Sequence, residues 1–123
     1  MNFRFAVIDD APFIRELLKQ IATQAGGTCV GEAETGAGGL ELVRRFLPDV
    51  IFLDLVMPGK SGLDIITETK LIWPELKIIS CSTLDDPKTI TQARTYGVDE
   101  YLTKPFTQAQ ITSALDRLLK PAR

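Results

Sequence analysis

Residues 49–54 read Asp-Val-Ile-Phe-Leu-Asp, so an unbroken apolar run delivers a carboxylate, Asp54, to its end. Leu55-Val56-Met57-Pro58-Gly59 follows, and the Pro-Gly pair breaks the chain. A strand that is apolar on both faces must be covered on both faces, as strands inside parallel sheets are. The first apolar run, Phe5-Ala6-Val7-Ile8, also ends in carboxylates, Asp9 and Asp10. Near the C-terminus, Tyr101-Leu102-Thr103 leads into Lys104-Pro105. If the strands are parallel neighbours, three acids and one lysine converge into a cation and phosphate site.

Strand and helix patterns alternate from end to end. Strands are expected over 3–8, 28–33, 49–54, 76–81 and 98–102, and helices over about 11–25, 36–47, 62–72, 86–96 and 107–119. Asp10 is an available N-cap for the first helix, with Pro12 in its first turn and Phe13, Leu17, Leu18 and Ile21 as its apolar face. The second helix begins weakly, because Gly36, Gly38 and Gly39 disfavour helix. Leu63, Ile65 and Ile66 are expected inward on the third, and Ile90 and Ala93 on the fourth, which Gly97 stops. Thr107 is the expected N-cap of the fifth, with Ile111, Ala114, Leu115 and Leu118 inward. Five such units imply an α/β fold, a doubly wound five-stranded parallel sheet with helices on both faces. Right-handed crossovers bring every strand C-terminus to one edge, where ligands of such sheets bind.

The 123 residues suit one domain spanning 1–123, with no linker or internal repeat. A net charge of -2 leaves no basic stripe for nucleic acid. No apolar run approaches the length of a membrane span, and the N-terminus has no signal-peptide plan, so a cytoplasmic location is expected. The chain has no His, which removes His-based acid-base and triad chemistry. Cys29 and Cys81 read as small buried core residues rather than a disulfide or zinc site.

Taken singly, the site candidates have ordinary explanations: Asp10 as a cap, Asp54 as a turn residue, Ser82 as a loop hydroxyl, Lys104 as a surface amine. Their repetition at strand ends argues otherwise. Three carboxylates at one edge repel each other unless a hard divalent cation is shared among them. Lys104 suits a phosphoryl oxygen, Ser82 offers a hydroxyl, and a carboxylate in such a centre can be the nucleophile that forms an aspartyl phosphate.

In Val7-Ile8-Asp9-Asp10, Phe52-Leu53-Asp54-Leu55-Val56-Met57-Pro58-Gly59 with Gly62, Ile78-Ile79-Ser80-Cys81-Ser82 and Tyr101-Leu102-Thr103-Lys104-Pro105-Phe106, the chain resembles the CheY-like receiver domains of two-component response regulators. The resemblance spans the whole chain. It implies a flavodoxin-like (βα)5 fold with strand order 2-1-3-4-5, an order known for that family and not read from spacing. It implies Asp54 as phosphoacceptor, Asp10 as a direct ligand of Mg2+ (or Mn2+) and Asp9 as an acid acting through water. Asp54 and the Val56 backbone carbonyl would complete the metal's protein ligands. Lys104 would pair with the phosphoryl group, Ser82 would be the switch hydroxyl, and Tyr101 the aromatic that turns inward on activation. The peptide before Pro105 would be cis. The implied partners are a sensor histidine kinase or histidine phosphotransfer protein and a downstream target or output domain. The implied role is a switch in a phosphorelay, not a turnover enzyme.

Other readings fit less well. An aspartate-based phosphatase needs a second acid two residues after the nucleophile, where Val56 stands. A flavin or dinucleotide module needs glycines in the first strand-helix turn, where Asp9-Asp10-Ala11-Pro12 stands. A phosphate-independent binding module, and a receiver cut from a longer regulator with a DNA-binding or enzymatic output domain, remain open alternatives. Val56, Thr83 and Leu84 depart from the family's commoner residues. They are expected to crowd the phosphoryl site and slow attack by water. Val56→Asn and Thr83→Ala should therefore each shorten the acyl-phosphate lifetime, read by phosphate release after removal of the donor. A wild-type lifetime of seconds that neither change alters refutes this.

Overall fold

The computed structural model describes residues 2–57 and 61–119. Its strands are β1 (Phe3–Ile8), β2 (Gly27–Ala33), β3 (Val50–Leu53), β4 (Lys77–Ser82) and β5 (Glu100–Thr103). Its helices are α1 (Pro12–Gln24), α2 (Gly36–Phe46), α3 (Gly62–Ile72), α4 (Pro87–Tyr96) and α5 (Gln108–Leu119). All pairings are parallel, in the order β2-β1-β3-β4-β5. The expected alternation and the doubly wound sheet are both present. The Pro58-Gly59 break and the tail after Leu119 lie outside the described residues. Among the described residues, no helix is long and apolar enough to cross a membrane.

Strand alternation divides the core. Phe5, Val7, Val50, Phe52, Ile79 and Cys81 face one side with Leu18 and Ile21 of α1 and Ile111 and Leu115 of α5. Ala6, Ile8, Ile51, Leu53 and Ile78 face the other with Val43 of α2, Ile65 and Ile66 of α3 and Ala93 of α4. Phe5 and Phe52 meet edge-on, with ring centroids 6.0 Å apart at 82°. Each fully buried side chain of this size contributes roughly 1.5–3 kcal/mol.

The helix ends follow local chemistry. Thr35, Ser61 and Asp86 cap α2, α3 and α4, each accepting a hydrogen bond from the amide three residues on. Thr107 and Gln110 form a reciprocal capping box: Thr107 N–H donates to Gln110 Oε1 at 2.8 Å, and Gln110 N–H to Thr107 Oγ1 at 3.1 Å. Gly97 ends α4 at φ 120°, a conformation open to glycine and costly to other residues.

Three expectations fail. Asp10 does not cap α1; the N-cap is Ala11, without a side-chain bond, and Pro12 alone presets the first turn. Phe13 is 75% exposed, because Ile14, Leu17, Leu18 and Ile21 complete the buried face one position further round the helix. Cys29 is only partly buried, since β2 is an edge strand; both thiols are free.

After β3 the chain passes close to the start of α3. A Cβ at Gly62 would lie 2.5 Å from Leu55 Cα and 3.1 Å from the Leu55 carbonyl oxygen. Backbone cannot yield as a flexible side chain does. Gly62→Ala should therefore lower stability by roughly 1–3 kcal/mol, seen as a lower urea midpoint at unchanged slope.

Candidate functional site at the sheet edge

The chain leaves β1 toward β2 on one side and later returns to β3 on the other, so β1 and β3 flank the point where strand order reverses. Asp9 and Asp10 follow β1, and Asp54 follows β3. The register pairs Ile8 with Leu53, which sets the carboxylates beside each other. One oxygen from each of Asp9, Asp10 and Asp54 can be chosen so that all lie within 4.8 Å of one another. Asp9 and Asp54 are buried, whereas Asp10 is exposed.

Lys104 leaves β5 and crosses to this cluster. Its Nζ lies 2.8 Å from Asp9 Oδ2 and 3.4 Å from Asp54 Oδ2. The Lys104 amide donates to the Ser82 carbonyl at 2.7 Å, which fixes the root of the side chain, and the Lys104–Pro105 peptide is cis. Burial presses the Lys104 amine downward, but the Asp9 and Asp54 carboxylates together outweigh it and hold its pKa above the ordinary lysine value. Burial also raises the Asp54 pKa, as does the Asp9 charge; the Val56 amide and Lys104 offset this in part.

Backbone groups orient the acids. Asp54 Oδ1 accepts from the Val56 amide at 2.9 Å, and Asp9 Oδ1 from the Ala11 amide at 2.9 Å. Val56, expected to contribute its carbonyl, thus already contributes its N–H. Arg15, which the sequence reading passed over, donates through Nη1 to the Asp9 carbonyl at 2.8 Å and through Nε to Glu32 at 2.8 Å. Lys19 joins the same Glu32, and these two cations hold the Glu32 carboxyl below its usual range. An acid at 32 facing cations at 15 and 19 is a signal visible only once α1 is known to lie on β2.

Ser82 is fully buried at the end of β4, and its Oγ accepts from the Leu84 amide at 3.1 Å. The Leu84 carbonyl accepts from the Tyr101 hydroxyl at 2.6 Å. The Tyr101 ring is half-buried against the cluster formed with α2, α3 and α4. A continuous path therefore joins Ser82, the loop after β4, and Tyr101. Val56 is 51% exposed and Leu84 39%, so neither side chain is packed down over the carboxylates in this conformation.

Three carboxylates facing one ammonium leave negative charge in a small, largely buried volume. Oxygen donors of this kind suit a hard divalent cation, and no other metal-ligand cluster of this kind occurs among the described residues.

The family model of response regulator receiver domains matches residues 5–116, and the chain belongs to that family. It is the receiver domain of a two-component system, a signalling phosphoacceptor rather than a turnover enzyme. It is 35% identical over 120 residues to the chemotaxis protein CheY of Thermotoga maritima, covering 98% of this chain and 100% of that protein. It is also 35% identical to the probable C4-dicarboxylate response regulator DctR of Halalkalibacterium halodurans, covering 91% of this chain but 49% of that protein. Among solved structures, the BeF3-activated DrrB receiver domain matches at TM-score 0.88 and 27% identity, covering 98% of this chain and 100% of that one.

A folded-state carboxyl with a raised pKa stabilises the fold below its unfolded pKa and loses that contribution as pH rises through the folded value. Ionised Asp54 therefore opposes folding at neutral pH. Asp54→Asn should be more stable than the parent at pH 7 in chelator, by on the order of 1 kcal/mol. Added Mg2+ should narrow the difference, read by thermal melts with and without the ion.

Proposed function

We propose that Asp54 accepts a phosphoryl group from a sensor histidine kinase or a histidine phosphotransfer protein, and that residues 1–123 form one receiver domain acting in the cytoplasm. The observation that carries this reading is the Asp9, Asp10 and Asp54 cluster with Lys104 Nζ reaching two of its members.

Asp54 Oδ1 is held by the Val56 amide, which leaves Oδ2 as the freer oxygen for attack. As the Oδ–P bond forms, the N–P bond of the phosphohistidine breaks and the imidazole leaves. Mg2+ or Mn2+, when bound by Asp9, Asp10, Asp54 and the Val56 carbonyl, supplies charge neutralisation for the transferring group. Asp9, already bonded to Lys104 and the Ala11 amide, suits contact through water, and exposed Asp10 suits direct ligation. Lys104 exchanges its long contact with Asp54 for a phosphoryl oxygen. The Ser82 hydroxyl turns from the Leu84 amide to another phosphoryl oxygen.

The added charge of about -1.5 to -2 is thereby read at a distance. Moving Ser82 moves the loop that carries the Leu84 carbonyl, and with it the seat of the Tyr101 hydroxyl. The face built by α4, β5 and α5 changes, and a target protein or output domain reads it. The half-length match to DctR supports a second reading, a receiver within a longer regulator with a DNA-binding or enzymatic output domain.

Intact mass after acetyl phosphate and Mg2+ tests the assignment. One added phosphoryl group is expected, absent from Asp54→Ala and from a metal-free control. No adduct after rapid acid quench, with acetyl phosphate and with a phosphohistidine donor alike, refutes it and favours a phosphate-independent binding module.

A further inference from the structure

Ser80 stands in β4 between two fully buried residues, Ile79 and Cys81, and is itself 0% exposed. Among the described residues, its Oγ has no hydrogen-bond partner. Burying an unpartnered hydroxyl in a central strand is unfavourable. Its place in the register explains what the position requires. Ile8 pairs with Leu53, Leu53 with Ser80, and Ser80 with Tyr101. Paired residues of a parallel sheet share a face, and Ile8, Leu53 and Tyr101 all belong to the cluster against α2, α3 and α4. Ser80 therefore sits in one row directly beside Tyr101, about 4.8 Å away across the strands. The other inner members of the row, Ile8 and Leu53, are large and fully buried. The position next to the aromatic ring is small.

We propose that Ser80 is a positioning residue for the Tyr101 switch: its small side chain leaves the volume into which the Tyr101 ring seats, so the unphosphorylated chain already holds Tyr101 on the Leu84 carbonyl. This rests on the reading of Tyr101 as the switch aromatic and adds that residue 80 sets its resting population. A larger side chain at 80 competes for the same volume, because cores of native density have no slack to absorb it. The ring then moves outward until phosphorylation draws it back, as expected for two pre-existing states whose balance is shifted. The hydroxyl itself is dispensable; smallness is the property used.

The chain has two tyrosines, 96 and 101, so 3-fluorotyrosine labelling gives two 19F resonances, assigned with Tyr96→Phe. In the metal-free parent protein, Tyr101 should show a small solvent isotope shift, as a seated ring does. Ser80→Ala should leave the signal in place. Ser80→Thr, which adds one methyl, and Ser80→Val should move it progressively toward the solvent-exposed position while Tyr96 stays fixed. Beryllofluoride with Mg2+ should return the Val variant toward the parent signal. If Val proves too disruptive to fold, the Thr variant carries the test. An exposed Tyr101 in the parent, or Thr and Val variants that leave the ring seated, overturns the proposal. In those cases a response of Tyr101 to beryllofluoride still upholds its role as a switch. Conversely, an outward ring in the Val variant that beryllofluoride does not return upholds the role of Ser80 and refutes the switch reading.

Discussion

The contact between Lys104 Nζ and two carboxylates is the interaction on which the site depends. Asp9 and Asp54 sit on adjacent strands, largely out of water, where their mutual repulsion is poorly screened. A single ammonium from β5 reaches across β4 to meet them both. Removing it would leave two buried carboxylates without an ion-pair partner among the described residues. Its presence still leaves the cluster short of neutrality, because Asp10 adds a third carboxylate. The fold therefore carries an excess of negative charge of the kind a hard divalent cation offsets, and this excess is concentrated where the strand order reverses.

The same edge connects to the surface through very few bonds. Ser82 holds the Leu84 amide, and the Leu84 carbonyl holds the Tyr101 hydroxyl. Leu84 lies in the loop that follows β4, so under the proposed switch a change at Ser82 need only reposition that loop to reach β5. The neighbouring strands do not have to deform. In the proposed switch their register and packing stay as the core fixes them, and the groups that move are a hydroxyl, a loop carbonyl and an aromatic ring. Ser80 lies beneath this path and acts on it by volume alone.

Much of the fold was legible because its causes are local. Apolar runs ending in Asp9, Asp54 and Ser82 mark strands, and Gly97 and Thr107 mark helix ends, each within a residue or two of where they fall. The misreadings arose where a neighbour decides. Phe13 is apolar but looks away from the core, because the buried stripe of α1 is set by where the helix rests on the sheet. Asp10 has the chemistry of a cap, yet its neighbour Ala11 occupies the N-cap position. Arg15 gave no local sign that it grips the Asp9 carbonyl, since that contact depends on α1 packing alongside β1 and β2. The Val56 amide escaped notice because backbone donors carry no residue-type signature.

The sequence by itself determined the order and kind of the elements, the parallel character of the sheet and the candidate residues at its edge, because hydrophobic period and turn chemistry act over a few neighbouring residues. Only the tertiary structure decided which of these groups meet. The 2.8 Å contact from Lys104 to Asp9 spans 95 positions of chain, and the row joining Ile8, Leu53, Ser80 and Tyr101 draws on four separate strands. Such distances are set by strand register and by the packing of helices on both faces of the sheet, and neither is written in any short stretch of residues.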